Sequence, residues 1–180
     1  MAHYNSFVRI PALVVRQALR PLPSLDPLAA DQITLRVWPN DIDFNLHLNN
    51  ARYLNVMDYG RVRLLARTGL LLPLIKARYA PVVGSAWMTY RRSLPLWATY
   101  TLSTRLDSWD DRWFYFEQTF STTAGLIAIG WVKGALLDHG SILPPQTIMD
   151  RFHPGIESPP LPEAMATLNT LTRDKLQSAG

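Results

Sequence analysis

Cysteine is absent from the 180 residues. That excludes disulfides, thiolate catalysis and zinc-finger chemistry, and it suits a reducing, cytoplasmic setting. Histidine is scarce: His3, His47, His139 and His153 are too scattered to suggest a zinc site. No apolar run reaches about 18 residues, so no membrane-spanning helix is expected. The N-terminal FVRIPALVVRQAL is broken by Arg9, Pro11 and Arg16 and lacks a signal-peptide core and cleavage site. It reads as an amphipathic helix resting on the domain, with peripheral contact to a membrane surface as the alternative. Basic charge is not concentrated either. The net charge of +4 comes without a Lys/Arg run of the kind that forms a nucleic-acid arm. No nucleic-acid partner is therefore expected, and a phosphate-bearing ligand is the best specific reading of the basic balance.

What remains suits one folded unit. Hydrophobic residues make up 48% and charged residues 18%, which separates the chain from disordered sequences. Residues 1–30 read as an N-terminal extension ending in the proline-rich RPLPSLDPLAAD. QITLRVWP (32–39) alternates Ile33, Leu35 and Val37 with polar partners and predicts a strand. NNARYLNVMDYGRVRLLARTGL predicts a long helix, capped by Asn at its start and closed by Gly69. Ala51, Leu54, Val62, Leu65 and Ala66 form one apolar stripe, with Tyr53, Val56, Met57 and Leu64 nearby, so the helix should be enclosed over a wide arc. Strand-like runs follow at 80–92, 97–109, 112–121 and 125–137, rich in β-branched and aromatic residues. SWDDR and STTAG between them are hairpin turns. The tail, 144–180, predicts a short proline-led helix and a last helix loosely attached. This order makes an α+β domain over 31–143, an antiparallel sheet wrapped on a buried helix. Its open sheet edge suits a second copy, giving a homodimer or a dimer of dimers.

The decapeptide DIDFNLHLNN (41–50) is where chemistry concentrates. Amides at a helix N-terminus lack intrahelical partners and favour negative charge. A thioester carbonyl placed there would be polarised. The amides around Leu48–Asn50 are the candidates, and Asp43 upstream would attack the carbonyl or activate water. If the segment is extended, Asp43, Asn45 and His47 share one face and the apolar residues between them face the core. The plainer alternative is that these polar residues are turn formers and caps, as Asp41, Asn49 and Asn50 are expected to be. Elsewhere, Asp58 and Arg61 are spaced to pair on the helix. Gly60 suits a close approach to it. Arg91 and Arg92 close a strand and are either phosphate ligands or merely solvated. Trp87, Trp97, Trp109, Trp113 and Trp131 are read as core or dimer contacts.

WPNDIDFNLHLNNARYL resembles the D-x-N-x-H-x-N-N-x-x-Y segment of hotdog-fold thioesterases. The similarity is to plant acyl-ACP thioesterases and to acyl-CoA thioesterases of the 4-hydroxybenzoyl-CoA thioesterase type. It extends through YRRSLPLWATYTLSTRL and SWDDRWFYFEQTF, from about Gln32 to Leu143. The resemblance implies a hotdog fold and hydrolysis of an acyl-CoA or acyl-ACP thioester, with no metal or bound cofactor. It puts the catalytic aspartate at Asp43, the motif's Asn and His at Asn45 and His47, and the carbonyl-polarising amide at Asn49 or Asn50. The cysteine once proposed for plant relatives is missing. Two alternatives stand beside this reading. One is a hotdog hydratase, although Leu46 replaces the proline of its D-x-N-P-x-H motif. The other is a non-catalytic acyl-CoA-binding protein.

Overall fold

The computed structural model describes Val8 and residues 10–178. Phe7 and Arg9 of the N-terminal stretch lie outside the described residues. Helix α1 (Ile10–Leu19) is followed by β1 (Asp31–Arg36), the long helix α2 (Asn50–Arg67) and the short α3 (Leu71–Lys76). Five strands come next: β2 (Ala80–Tyr90), β3 (Thr99–Trp109), β4 (Phe114–Thr122), β5 (Gly125–Asp138) and β6 (Ser141–Leu143). Helices α4 (Pro145–Phe152) and α5 (Glu163–Ser178) complete the chain. The sheet is antiparallel with order β1-β3-β4-β5-β2, and β6 adds to β5.

Helix α2 begins and ends where local chemistry directs. The Asn49 side chain accepts from the Ala51 N–H at 2.9 Å, satisfying a first-turn amide. At the other end Gly69 adopts φ 78°, and the Leu70 N–H returns to the Leu65 carbonyl at 2.9 Å. Tyr53, Val56, Met57, Gly60 and Leu64 form the buried stripe, the spacing of one helix face. The arc is narrower than the sequence suggests: Ala51 and Leu54 are exposed. Around the first half of α2, Val37, Leu48, Leu94, Tyr100, Leu102 and Phe120 pack with Tyr53 and Met57. Around its second half, Leu70, Leu74, Leu106, Phe114, Ile148 and Met149 pack with Leu64.

Gly60 is where helix and sheet come closest. A Cβ there would meet Thr104 Oγ1 at 2.5 Å, Leu102 Cδ2 at 2.7 Å and Gln118 Nε2 at 2.9 Å. A second fastening lies at the helix end. Buried Asp31 on β1 accepts from Arg63 Nε at 2.7 Å and Arg67 Nη1 at 2.8 Å. Both flanks dock on this unit. In α1, Leu13 is buried and Gln17 Nε2 donates to the Ala66 carbonyl at 2.8 Å. Helix α5 is not loose: Met165 is fully buried and Asn169 Nδ2 donates to the Tyr115 hydroxyl at 3.0 Å.

Candidate active site

The decapeptide is not an extended segment. Ile42 and Leu48 face each other in an antiparallel bridge, and the chain between them reverses. The Leu46 N–H donates to the Asp43 carbonyl at 3.0 Å, and the Asp43 N–H donates to the His47 carbonyl at 3.0 Å. Asp43 Oδ1 accepts from the Asn45 N–H at 2.9 Å, an Asx turn that fixes the carboxylate to the backbone. Leu46 takes φ 59°, a left-handed conformation unusual for a branched apolar residue. The reversal changes which side chains are buried. Ile42 and Leu48 join the core, whereas Phe44 is 93% and Leu46 62% exposed. Asp43 and His47 are half-buried and Asn45 is exposed. Among the described residues, neither the Asn45 side-chain amide nor the His47 ring is hydrogen-bonded to the Asp43 carboxylate. The turn therefore gathers the three residues within five positions, but not as a strand face.

This turn is pinned at both ends. The Leu48 N–H donates to the Leu94 carbonyl at 2.7 Å, and the Leu96 N–H donates to the Leu46 carbonyl at 3.2 Å. His47 bridges Pro95. The Asn49 N–H donates to the Asp41 carbonyl at 2.9 Å. Asp41 in turn accepts from the Trp38 N–H at 3.1 Å and lies 3.9 Å from Arg52.

These bonds sort the amides at the start of α2. Leu48 and Asn49 have backbone acceptors. The Ala51 N–H is held by the Asn49 side chain, and the Arg52 N–H by the Asn49 carbonyl at 2.8 Å. The Asn50 N–H has no acceptor among the described residues. Of the two amides that the resemblance implies, Asn49 is committed and Asn50 is open.

Arg91 and Arg92 follow β2 at the same end of the molecule, since the Tyr90 hydroxyl donates to the Asn50 carbonyl at 3.3 Å. Both backbone N–H groups donate to the Ile127 carbonyl. The Arg92 guanidinium reaches the Ala124 carbonyl at 2.7 Å, while the exposed Arg91 side chain has no hydrogen bond or ion pair among the described residues. Trp97 (φ 67°) and Trp38 stack edge-on at 5.6 Å beside the turn, each 45% exposed, with Arg36 over Trp97. Trp109 is buried and donates to Gln146 Oε1 at 2.8 Å. Tyr53, a buried residue in the first turn of α2, is edge-on to Tyr90 at 5.1 Å. Burial, reinforced by Tyr90, pushes its hydroxyl up to about 12.

One polar network escaped the sequence reading. Gln118, fully buried on β4, donates to the Met57 carbonyl at 3.0 Å and to Thr104 Oγ1 at 2.9 Å. It accepts from Arg61 Nη1 at 2.7 Å, and Arg61 also pairs with Asp58. Burial lowers the Arg61 guanidinium from its usual range, and Asp58 opposes that shift through charge and a hydrogen bond. The signal was present in Phe116–Gln118–Phe120. Alternate residues share a sheet face, so a glutamine between two inward aromatics must find partners.

The chain's relatives agree with this architecture. A model of the thioesterase-like superfamily matches residues 37–168. Protein THEM6 of Xenopus laevis is 31% identical over 160 residues, covering 87% of this chain and 75% of that protein. A probable thioesterase from Bartonella henselae superposes with a TM-score of 0.59 at 24% identity, over 64% of this chain and 98% of its own. A Staphylococcus aureus protein solved in complex with CoA gives 0.62 at 18% identity, over 79% of this chain and 95% of its own. Among the described residues no helix is long and apolar enough to cross a membrane. The antiparallel sheet around α2 and the family match over most of the chain make this protein a member of the thioesterase-like superfamily with the hotdog fold.

Proposed function

We propose that this protein hydrolyses an acyl thioester, an acyl-CoA ahead of an acyl-ACP, to a free acid and a thiol. The observation that carries the reading is the uncommitted Asn50 N–H at the start of α2, beside the turn that holds Asp43. A carbonyl oxygen at that amide would gain a hydrogen bond that strengthens as negative charge develops on it. Asp43 acts as general base or as nucleophile through the carboxylate oxygen that the Asx turn leaves unused. Asn45 and His47 orient water or substrate. The leaving thiolate is stable enough to depart without an obligatory general acid. The CoA complex of the Staphylococcus aureus relative supports CoA as the carrier. Arg91, with an uncommitted guanidinium, is the first ligand for its phosphates, and Arg92 the second. In this reading residues 31–143 carry the hotdog unit, and the protein works as a homodimer or a dimer of dimers joined along an open sheet edge.

The test is an acyl-CoA panel with free-thiol detection, run on wild type and Asp43→Asn. The substitution lowers turnover by roughly two to four decades, the scale of a positioned acid–base group. Hydrolysis of the best acyl-CoA at the wild-type rate by Asp43→Asn would overturn the mechanism.

A further inference from the structure

Between the second half of α2 and the sheet lies a cavity of about 260 Å³. Its sides come from Val62 and Leu65 on α2 and from Val82 and Ala135 on the facing strands, and Ile10 of α1 and Ile148 of α4 help to close it. Apart from Thr68, the lining is polar only at Asp58 and Arg61. Arg61 is already engaged by Gln118 and Asp58, so neither charge demands a polar occupant inside. A cavity of about 150 Å³ lined by such residues accepts a benzene ring and stays free of water. This one exceeds the needs of a single ring, and water gains few partners in it.

Its shape follows the helix. The residues of α2 and its C-cap that line it run from Asp58 to Thr68, roughly 15 Å at 1.5 Å per residue. Its near end is eight residues from Asn50, about 12 Å along the same axis. An acyl group whose carbonyl sits at the Asn50 amide enters the cavity only if it extends beyond that distance. Acetyl and benzoyl groups fall short of it.

We infer that this cavity receives the aliphatic chain of the substrate, and that the protein prefers long straight-chain acyl groups to short or aromatic ones. The inference rests on the thioester-hydrolase reading for the acyl donor, but the cavity can be probed with a free fatty acid. Helices α1 and α4 then have a part in specificity, because Ile10 and Ile148 contribute to the walls.

The experiment measures cis-parinaric acid fluorescence with the full chain: wild type, Asp43→Asn, Val62→Phe and Ala135→Leu. Val62 is half-buried, so phenylalanine there fills the cavity without displacing a packed core residue. Ala135→Leu gives the same reading from the sheet side should Val62→Phe fold poorly. Wild type and Asp43→Asn bind the probe alike. Each filling variant binds it roughly tenfold or more weakly, the equivalent of two methylenes left in water. Turnover of acetyl-, octanoyl-, palmitoyl- and benzoyl-CoA is measured in parallel. Palmitoyl-CoA leads in wild type, and Val62→Phe raises its KM and shifts preference towards octanoyl-CoA. Unchanged parinarate binding in a folded filling variant overturns the inference. So does hydrolysis of acyl-CoAs by a protein that binds no parinarate, and that result leaves the hydrolase reading intact. Parinarate binding that the filling variants weaken, without hydrolysis of any thioester, removes the hydrolase reading and keeps the cavity as an aliphatic-chain site.

Discussion

Gln118→Met removes three hydrogen bonds, two buried and one part-buried, with little change in volume. The side chain of Gln118 gives up its bonds to the Met57 carbonyl and Thr104 Oγ1, and Arg61 loses the 2.7 Å acceptor. The Met57 carbonyl keeps its helical donor at residue 61, so its loss is small. The Thr104 hydroxyl and one guanidinium nitrogen are left without these partners beneath α2. A hydrogen bond to a charged group contributes about 1.5–3 kcal/mol and a neutral one about 1 kcal/mol, so the substitution should destabilise by about 2–4 kcal/mol. No cavity penalty is added, because methionine fills the same space. For a chain of this size the melting temperature falls by roughly 5–15 °C. Urea unfolding followed by far-UV circular dichroism measures the loss, with an unchanged slope showing that two-state behaviour is kept. Thr104→Val provides a control: combined with Gln118→Met it should cost less than the sum of the two, by about 1 kcal/mol, because the pair shares one bond. A variant as stable as wild type, or strict additivity with Thr104→Val, would refute the network.

Gly60→Ala gains about 1 kcal/mol of helix propensity, but its methyl meets Thr104 and Gln118 below 3 Å; net destabilisation by about 1–2 kcal/mol in urea is expected from overpacking. Asp31→Ala releases Arg63 and Arg67 together and should cost about 3 kcal/mol, read in the same assay. Tyr53 stays neutral in the folded protein up to about 12 while an unfolded tyrosine ionises near 10. Its contribution to stability is therefore complete below pH 10 and declines from pH 10 to 12; at ~1.4 kcal/mol per pH unit that interval is worth about 3 kcal/mol, and Tyr53→Phe should flatten the decline. Replacing Arg91 and Arg92 with alanine should raise KM for acyl-CoA ahead of any fall in kcat, measured by thiol release.

The fold was legible where local signals and periodicity agree. Asn49 and Gly69 bracket α2, and the strand runs and hairpin turns give β3, β4 and β5 as a meander, but not the placing of β2 beside β5 and of β1 beside β3, which depends on long-range pairing. The short α3 was not read, because Pro73 looks like a breaker, although its place in the first turn is tolerated. The decapeptide misled for a different reason. Its strict alternation of apolar and polar residues imitates a strand, and the reversal depends on Leu46 at φ 59°, which no glycine or asparagine announces at that position. Asp43 and Asn45 were visible, but not that the first bonds the backbone of the second. That Asn49 is the engaged amide of the pair depends on the Asp41 carbonyl, which only the folded turn brings to it. The cavity was invisible because its walls come from elements far apart in the chain.

The Asx turn at Asp43 also determines what an asparagine would do in its place. Asparagine favours the same turn, so its carbonyl oxygen would take over the bond from the Asn45 N–H. The amide nitrogen must then occupy the place of the free carboxylate oxygen, presenting two hydrogens where a lone pair had been. The variant would differ from wild type by one atom at a known position and not by a freely rotating group. It would therefore be suited to trapping an intact acyl-CoA for crystallography, with the direction of the thioester recorded by which of its atoms faces the new donor.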